Sequence, residues 1–370
     1  MKHRLVHLDC LRGLAALLVV VEHLRAFLFV PFAQLKSPGI PEKGFYFMTG
    51  LGHQAVMIFF VLSGYLVGGS VIAALQSGKW SWREYLLRRM SRLWVVLIPA
   101  LLLTLFWDKL GYALSPNGYA GAYRELYNSG PTLTSPADWS LASFFGNAFF
   151  LQTILVPCFG TNSPLWSLAN EFWYYLLFPL GLTIIVARTW RARILSIILV
   201  SGMLVFLPKQ ILIGGVIWLL GAAVYFLIRR ESLGRIANHP LCLMLGLALT
   251  LGSLLASRTG RLGEGADLVI GIGCAVLVAG LASRSSHNLL YGRLSAGISE
   301  ISYTLYLVHF PLLACLFFVL FQGRQIVPNP LTSLWFVGIL GLTILYSIVV
   351  WWLFERNTDR FRKAAARVNS

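Results

Sequence analysis

Charge is what this sequence has least of. Only 12% of its 370 residues are Asp, Glu, Lys or Arg, and just 14 are acidic. A soluble domain carries about 25% charged residues, so this chain has too little polar surface to face water on all sides. That excludes an ordinary soluble enzyme, and 57% hydrophobic residues exclude a disordered chain. Cysteine is sparse too. Cys10, Cys158, Cys242, Cys274 and Cys315 form no CxxC pair and sit in apolar surroundings, which argues against a disulfide framework and against a thiolate metal site. No bound metal or cofactor is expected. There is no internal repeat and no low-complexity tract, so two matching transporter halves are absent. No cleavable signal peptide is expected either: Arg12, Glu22 and His23 interrupt the first apolar run, and no small-residue cleavage site follows it.

What the chain does have is apolar runs of bilayer length. Ten helices can be marked at about 8–30, 52–75, 89–107, 164–187, 193–207, 210–228, 241–257, 266–283, 298–320 and 332–354. The fifth is short for a span. A further apolar piece, 141–155, suits a re-entrant or interfacial segment. The expected fold is therefore an all-α polytopic membrane protein with about ten transmembrane helices. Residues 1–355 form the membrane domain and 356–370 a short basic cytoplasmic tail.

The net charge of +16 fits this drawing better than a nucleic-acid surface, because the basic residues cluster between apolar runs. With both termini cytoplasmic, 20 Lys and Arg fall inside and eight outside, as the positive-inside rule requires. One outer loop is long, about 108–163. It mixes the turn formers Pro116, Asn117, Gly118 and Pro131 with Tyr119, Tyr123, Tyr127 and Trp139, near Asp138. Such a mixture suggests an ordered cap.

Ionisable residues inside spans are expensive and usually face an internal cavity. The first helix holds Arg12 and His23, eleven residues apart, which puts them on one face about 16 Å apart along the axis. Arginine can grip phosphate or carboxylate with a bidentate fork, and a neutral histidine is a base near neutral pH. The bland alternative for each is a satisfied core polar group. Glu22 points about 100° away from His23. In Phe59-Phe60-Val61-Leu62-Ser63-Gly64-Tyr65-Leu66-Val67-Gly68, the two glycines at 64 and 68 read as a close-packing face. Ser63 reads as bonded to backbone of the preceding turn. Arg88, Arg89 and Arg92 share a helix face at a cytoplasmic end. Arg88 is balanced between topology and lipid contact on one side and a ligand on the other, whereas Arg89 and Arg92 suit ligand phosphates.

The fourth span opens Pro164-Leu165-Trp166-Ser167-Leu168-Ala169-Asn170-Glu171, continuing to Tyr175. Its carboxylate has three open roles: pairing an arginine, orienting His23, or holding an acceptor hydroxyl. The ninth span carries Ser302, Tyr303 and His309, with Pro311 able to free backbone groups for a site. Trp166, Tyr303 and His309 are candidates for lining that site. His3, His7, His53, His239 and His287 are assigned no role.

Together these segments resemble the acyltransferase 3 family of membrane O-acyltransferases, which acylate glycans and other exported molecules. Arg12 and His23 match its arginine–ten residues–histidine signature. Phe59 to Leu66 match its FFVLSG segment, and Arg89 to Arg92 its RxxR. Trp166 to Tyr175 match WSLxxExxY, and Ile301 to Pro311 match SYxxYLxHxP. The order is the family's across nearly the whole chain, from Leu8 to about Phe361. Cys10, Glu22 and Asn357 depart from its usual residues.

The resemblance implies acetyl-CoA (an acyl-CoA) as cytoplasmic co-substrate and a glycan or lipid-linked sugar hydroxyl as acceptor on the outer side. It implies a bacterial inner membrane, with membrane lipid as surroundings and no nucleic acid as partner. His23 and Glu171 become the expected catalytic pair, and Arg12, Arg89 and Arg92 the expected donor-binding set. Some relatives append a soluble SGNH-type esterase domain. This chain runs only about 16 residues past its last apolar segment, so the expected form is the stand-alone one. Competing readings are acylation of a lipid or macrolide hydroxyl, use of a longer acyl group such as succinyl, and, from another class, an anion transporter.

The topology is open to a direct test. Green fluorescent protein fused after Ser370 should fluoresce, and alkaline phosphatase there should be inactive but active when inserted within 120–135. The reverse pattern would overturn the charge-based orientation.

Overall fold

The structure, a computed structural model, describes residues 5–119, 136–286 and 288–367. Tyr123, Tyr127 and Pro131 of the expected cap, and His3 and His287, lie outside the described residues. All ten marked segments are helical, and the chain is an all-α polytopic membrane protein. The helices are α1 (Val6–Leu28), α2 (Ile40–Met48), α3 (Gly52–Ser63), α4 (Gly69–Gln76), α5 (Trp82–Leu114), α6 (Leu141–Ala148), α7 (Leu165–Val186) and α8 (Trp190–Phe206). They continue with α9 (Lys209–Ile228), α10 (Glu231–Asn238), α11 (Pro240–Arg258), α12 (Ala266–Ala282), α13 (Leu289–Glu300), α14 (Ser302–Phe321), α15 (Pro330–Leu353) and α16 (Thr358–Arg367).

Among the described residues, eight helical stretches are long and apolar enough to cross a membrane. Of the ten expected spans, α1 is set apart by its charges and α8 by its 17 residues. The apolar side chains that α8, α11 and α15 expose, among them Ile198, Val205, Leu245, Leu251, Leu334 and Val337, would be untenable in water and suit lipid.

Several boundaries differ from expectation. The third span is 33 residues, about 50 Å of helix, against a hydrocarbon core of about 30 Å. Its start at Trp82 and end at Leu114 take in polar residues that a hydropathy window discards. Asp108 therefore belongs to α5, not to the loop. Leu141–Leu155 is an eight-residue helix capped by the Ser140 hydroxyl, followed by a turn with Phe150 and Thr153 at positive φ. The short helices α2, α10, α13 and α16 had no counterpart among the expected elements, because a window long enough to find a span averages them away.

The chain folds as two compact units, one of 1–15, 54–81 and 170–298, the other of 16–53, 82–169 and 299–370. In the first, α9 lies against the segment joining α3 to α4, where Gly64–Gly68 forms a π-helical turn. A Cβ on Gly64 would collide with the Trp218 carbonyl oxygen, and one on Gly221 with the Val61 carbonyl oxygen. Two helices thus meet backbone to backbone, which confirms the close-packing reading of this glycine face.

In the second unit, α14 is the central helix, packed on α5 and α15. It is buried along nearly its whole length, from Ser302 to Phe318, as expected for a helix apolar on every side. Phe27, Phe29, Phe310, Phe317, Phe318 and Phe336 fill the core beside it. Asp108, fully buried, accepts from Trp139 Nε1 at 2.9 Å, Thr161 N at 2.8 Å and Thr161 Oγ1 at 2.7 Å. Three donors compensate the burial of that carboxyl. They also fasten Trp139 and Thr161 to α5, where the Lys109 ammonium lies 4.2 Å from the Trp139 ring centre.

Gly221→Ala should therefore lower the unfolding midpoint of the detergent-solubilised protein by an overpacking cost of about 1–3 kcal/mol. Gly252→Ala on α11, where a Cβ meets nothing within 4 Å, should leave it unchanged. Equal behaviour of the two variants would refute the close approach.

Candidate active site

Each candidate residue is placed by its own stretch of helix. α1 is unbroken from Val6 to Leu28 and carries both Arg12 and His23. Arg12 forms an ion pair with Asp9, one turn earlier, at 3.0 Å, with both side chains largely buried. The i,i+3 spacing alone carries the signal for this pair. His23 meets His309: Nδ1 of the first lies 2.8 Å from Nε2 of the second. His309 is fully buried and its own Nδ1 is 3.0 Å from the Leu305 carbonyl oxygen. The ring of Phe310 stands edge-on to His23 at 5.0 Å.

Glu22 has a separate task. Its carboxylate accepts from the backbone N–H of His53 at 3.1 Å, at the start of α3, where helix N–H groups lack partners and a negative charge is favoured. His53, left without a role by the sequence, has its ring 6.2 Å from that of Trp166, the planes 21° apart. Trp166 is half-buried at the start of α7.

The histidine helix is braced closely. Pro311 has no N–H, so the Leu307 carbonyl lacks its helical donor. Asn162 supplies one, its Nδ2 donating to Leu307 O at 2.9 Å and to Thr104 Oγ1 at 3.1 Å. The Tyr306 hydroxyl is 2.7 Å from Ser167 Oγ and donates to the Pro164 carbonyl at 3.1 Å. Thr304 donates through N and Oγ1 to Glu355, at 3.2 and 2.5 Å. Tyr303 donates to the Leu93 carbonyl at 3.2 Å, one residue past Arg92 on α5. Its hydroxyl is thus occupied in tying α14 to α5.

Arg89 is half-buried, its guanidinium 5.7 Å from the Tyr85 ring centre. Arg92 is exposed. Arg88 pairs with Glu84 at 3.2 Å in an exposed bridge, which contributes little and fits a topological role.

Glu171 lies in the other unit, with Tyr175 donating to its Oε2 at 3.1 Å. The Tyr175 oxygen is 3.2 Å from Ser63 Oγ, which accepts from Trp218 Nε1 at 3.1 Å. Ser63 is therefore not merely bonded within its own helix. A hydroxyl has one proton, and Tyr175 commits its own to Glu171, so Ser63 must donate to Tyr175. The chain of donors runs Trp218, Ser63, Tyr175, Glu171, beginning beside the π-helical turn, a feature frequent at functional sites. None of Ser63, Tyr175, Trp218 or Asn162 stood among the candidates. The WSLxxExxY spacing ends on Tyr174, whose hydroxyl donates to the Ile211 carbonyl at 2.7 Å, so it carried no signal for these four. Cys158, in the segment before α7, has its thiol pushed up to about 12 by burial, so it is no thiolate at neutral pH.

These positions fall within a single family match, which runs over residues 5–352 and is described as an acyltransferase domain. The chain belongs to that family. A Bacillus subtilis (strain 168) protein named "Putative peptidoglycan O-acetyltransferase YrhL" is 28% identical over 356 residues, covering 87% of this chain and 50% of its own length. An uncharacterized protein of Haemophilus influenzae (strain ATCC 51907 / DSM 11121 / KW20 / Rd) is 28% identical over 145 residues, 38% of this chain and 54% of that protein. The chain spans about half the length of these curated relatives. No solved structure matches it.

In this family member the brace on the Leu307 carbonyl should be measurable. Asn162→Leu leaves that buried acceptor unsatisfied, at a cost of about 1–3 kcal/mol. Asn357→Ala removes only exposed bonds to the end of α15 and should cost about 1 kcal/mol or less. Thermal unfolding in detergent compares them, and an equal loss would refute the brace.

Proposed function

We propose that this chain is an integral membrane O-acyltransferase that moves an acetyl group from cytoplasmic acetyl-CoA to a hydroxyl of an exported or lipid-linked glycan, in a bacterial inner membrane. The observation that carries the reading is the bonded pair of His23 and His309, two histidines from the first and ninth expected spans of a chain in an acyltransferase family. The name of the Bacillus subtilis relative supports an acetyl group and a glycan acceptor.

In this reading His23 is the general base. A sugar hydroxyl is a poor nucleophile at neutral pH. His23 takes its proton as the oxygen attacks the thioester carbonyl carbon, and the proton then passes to the departing CoA sulfur. An ester and free CoA result, with atoms and charge in balance. Such assistance contributes about 10²–10⁴-fold. Arg89 and Arg92 hold the phosphates of the donor, and Arg12, oriented by Asp9, supports the donor further along α1. Glu171, held by Tyr175, positions the acceptor hydroxyl.

Membranes bearing the full chain, supplied with labelled acetyl-CoA, test the assignment. His23→Ala should reach wild-type levels, bind donor and transfer at least a hundredfold less label to the envelope fraction. Arg89→Ala and Arg92→Ala should each raise the half-saturating donor concentration at least tenfold, and Glu171→Gln should lower turnover about a hundredfold. One-third of normal activity in His23→Ala would remove it from the mechanism. Uptake of intact anion with no labelled product would replace the enzyme by a transporter.

A further inference from the structure

We infer that His309 is a positioning residue that fixes the tautomer of His23, taking its instruction from the Leu305 carbonyl. The inference rests on the reading of His23 as the base and follows proton by proton along one row of atoms. A carbonyl oxygen only accepts. His309 Nδ1, 3.0 Å from Leu305 O, must therefore carry a proton. A neutral imidazole has one N–H and one lone pair, so His309 Nε2 presents its lone pair to His23. The atom it meets at 2.8 Å is His23 Nδ1, which must donate. The proton of neutral His23 thus sits on Nδ1, and its lone pair is on Nε2, on the side of the ring away from His309.

The ring geometry agrees. The planes are 16° apart and the centroids 5.1 Å apart, close to the N···N distance plus two ring radii. The imidazoles meet edge to edge in nearly one plane, with the donor aimed along the acceptor's lone pair. The opposite tautomer of His23 would set two lone pairs against each other inside a buried pair.

His309 can impose this choice because its helix is held still around it. The Leu307 carbonyl, freed by Pro311, is held by Asn162, and Tyr306 is bound to Ser167 and Pro164. His309 itself is completely buried. The acceptor is also neutral, unlike the carboxylate that orients histidine in a serine protease. When His23 gains a proton on Nε2, its Nδ1–H bond to His309 is unchanged, so the pair serves both states of the base without rearranging.

The test is the full chain in detergent with ¹⁵N-labelled histidine, the His23 signals being those lost in His23→Ala. Above the titration of His23, Nδ1 should show the protonated shift and Nε2 the unprotonated one. His309→Gln places an amide oxygen where it can accept from Nδ1, and should keep this pattern with turnover within about fivefold of wild type. His309→Leu should mix or invert the tautomers and lower turnover at least thirtyfold, with the half-saturating acetyl-CoA concentration unchanged. A wild-type spectrum with the proton on Nε2 would overturn the inference. So would a His309→Gln protein as inactive as His309→Leu but with the His23 pattern intact, since His309 would then move a proton itself. An active His23→Ala would refute the base role on its own, because the spectrum decides the tautomer independently of turnover.

Discussion

A bilayer offers no water to a stray polar group, so polar side chains and freed carbonyls within this chain must find their partners in the protein. That constraint organises both units. At two breaks in helical hydrogen bonding a side chain supplies the missing partner. Pro311 releases the Leu307 carbonyl and Asn162 takes it. The first turn of α3 has open N–H groups and Glu22 accepts one. Asp108, a buried carboxyl near the end of α5, is given three donors. Polar residues that look like catalytic candidates from sequence thus separate into those that complete the scaffold and those that scaffold residues hold in place.

The two histidines and the Glu171 chain share a logic that follows from proton counting. In each, a group with a fixed hydrogen-bonding role sits at one end: a carbonyl that only accepts at Leu305, an indole N–H that only donates at Trp218. The groups between have no remaining choice of direction. Order is thereby imposed on side chains that could otherwise flip their protons, and in the histidine pair this is done without adding a charge to a medium that resists charge.

The ten helices were legible because an apolar run of bilayer length is a long signal, robust to the polar residues in it. The candidates His23 and Glu171 were legible because a titratable group inside such a run is costly and rare. The pairings were not. His309 is 286 residues from His23 in sequence, and Tyr175 meets Ser63 across 112 residues, distances at which periodicity says nothing. Glu22 looked unexplained because its partner is a backbone N–H, which no side-chain pattern encodes. Ser63 was assigned to its own helix because the local bond is the only one a single segment can suggest. Short helices such as α10 escaped because a window long enough to find a span averages a segment of eight residues away.

The meeting of Gly64 and Gly221 constrains how this sequence can drift. Where a bulky side chain blocks a substitution, a second change to a smaller residue opposite can make room, and the two positions trade volume over time. Here the obstacle at each glycine is the carbonyl oxygen of Trp218 or of Val61, an atom present whatever residue occupies the position. No exchange of side chains can relieve it. Only parting the two helices would, and that would carry Trp218 away from Ser63, to which its indole is bonded. Tolerance to mutation at this crossing is therefore set by the peptide backbone, and suppressor screens against Gly221 variants should return revertants at that codon in preference to compensating changes nearby.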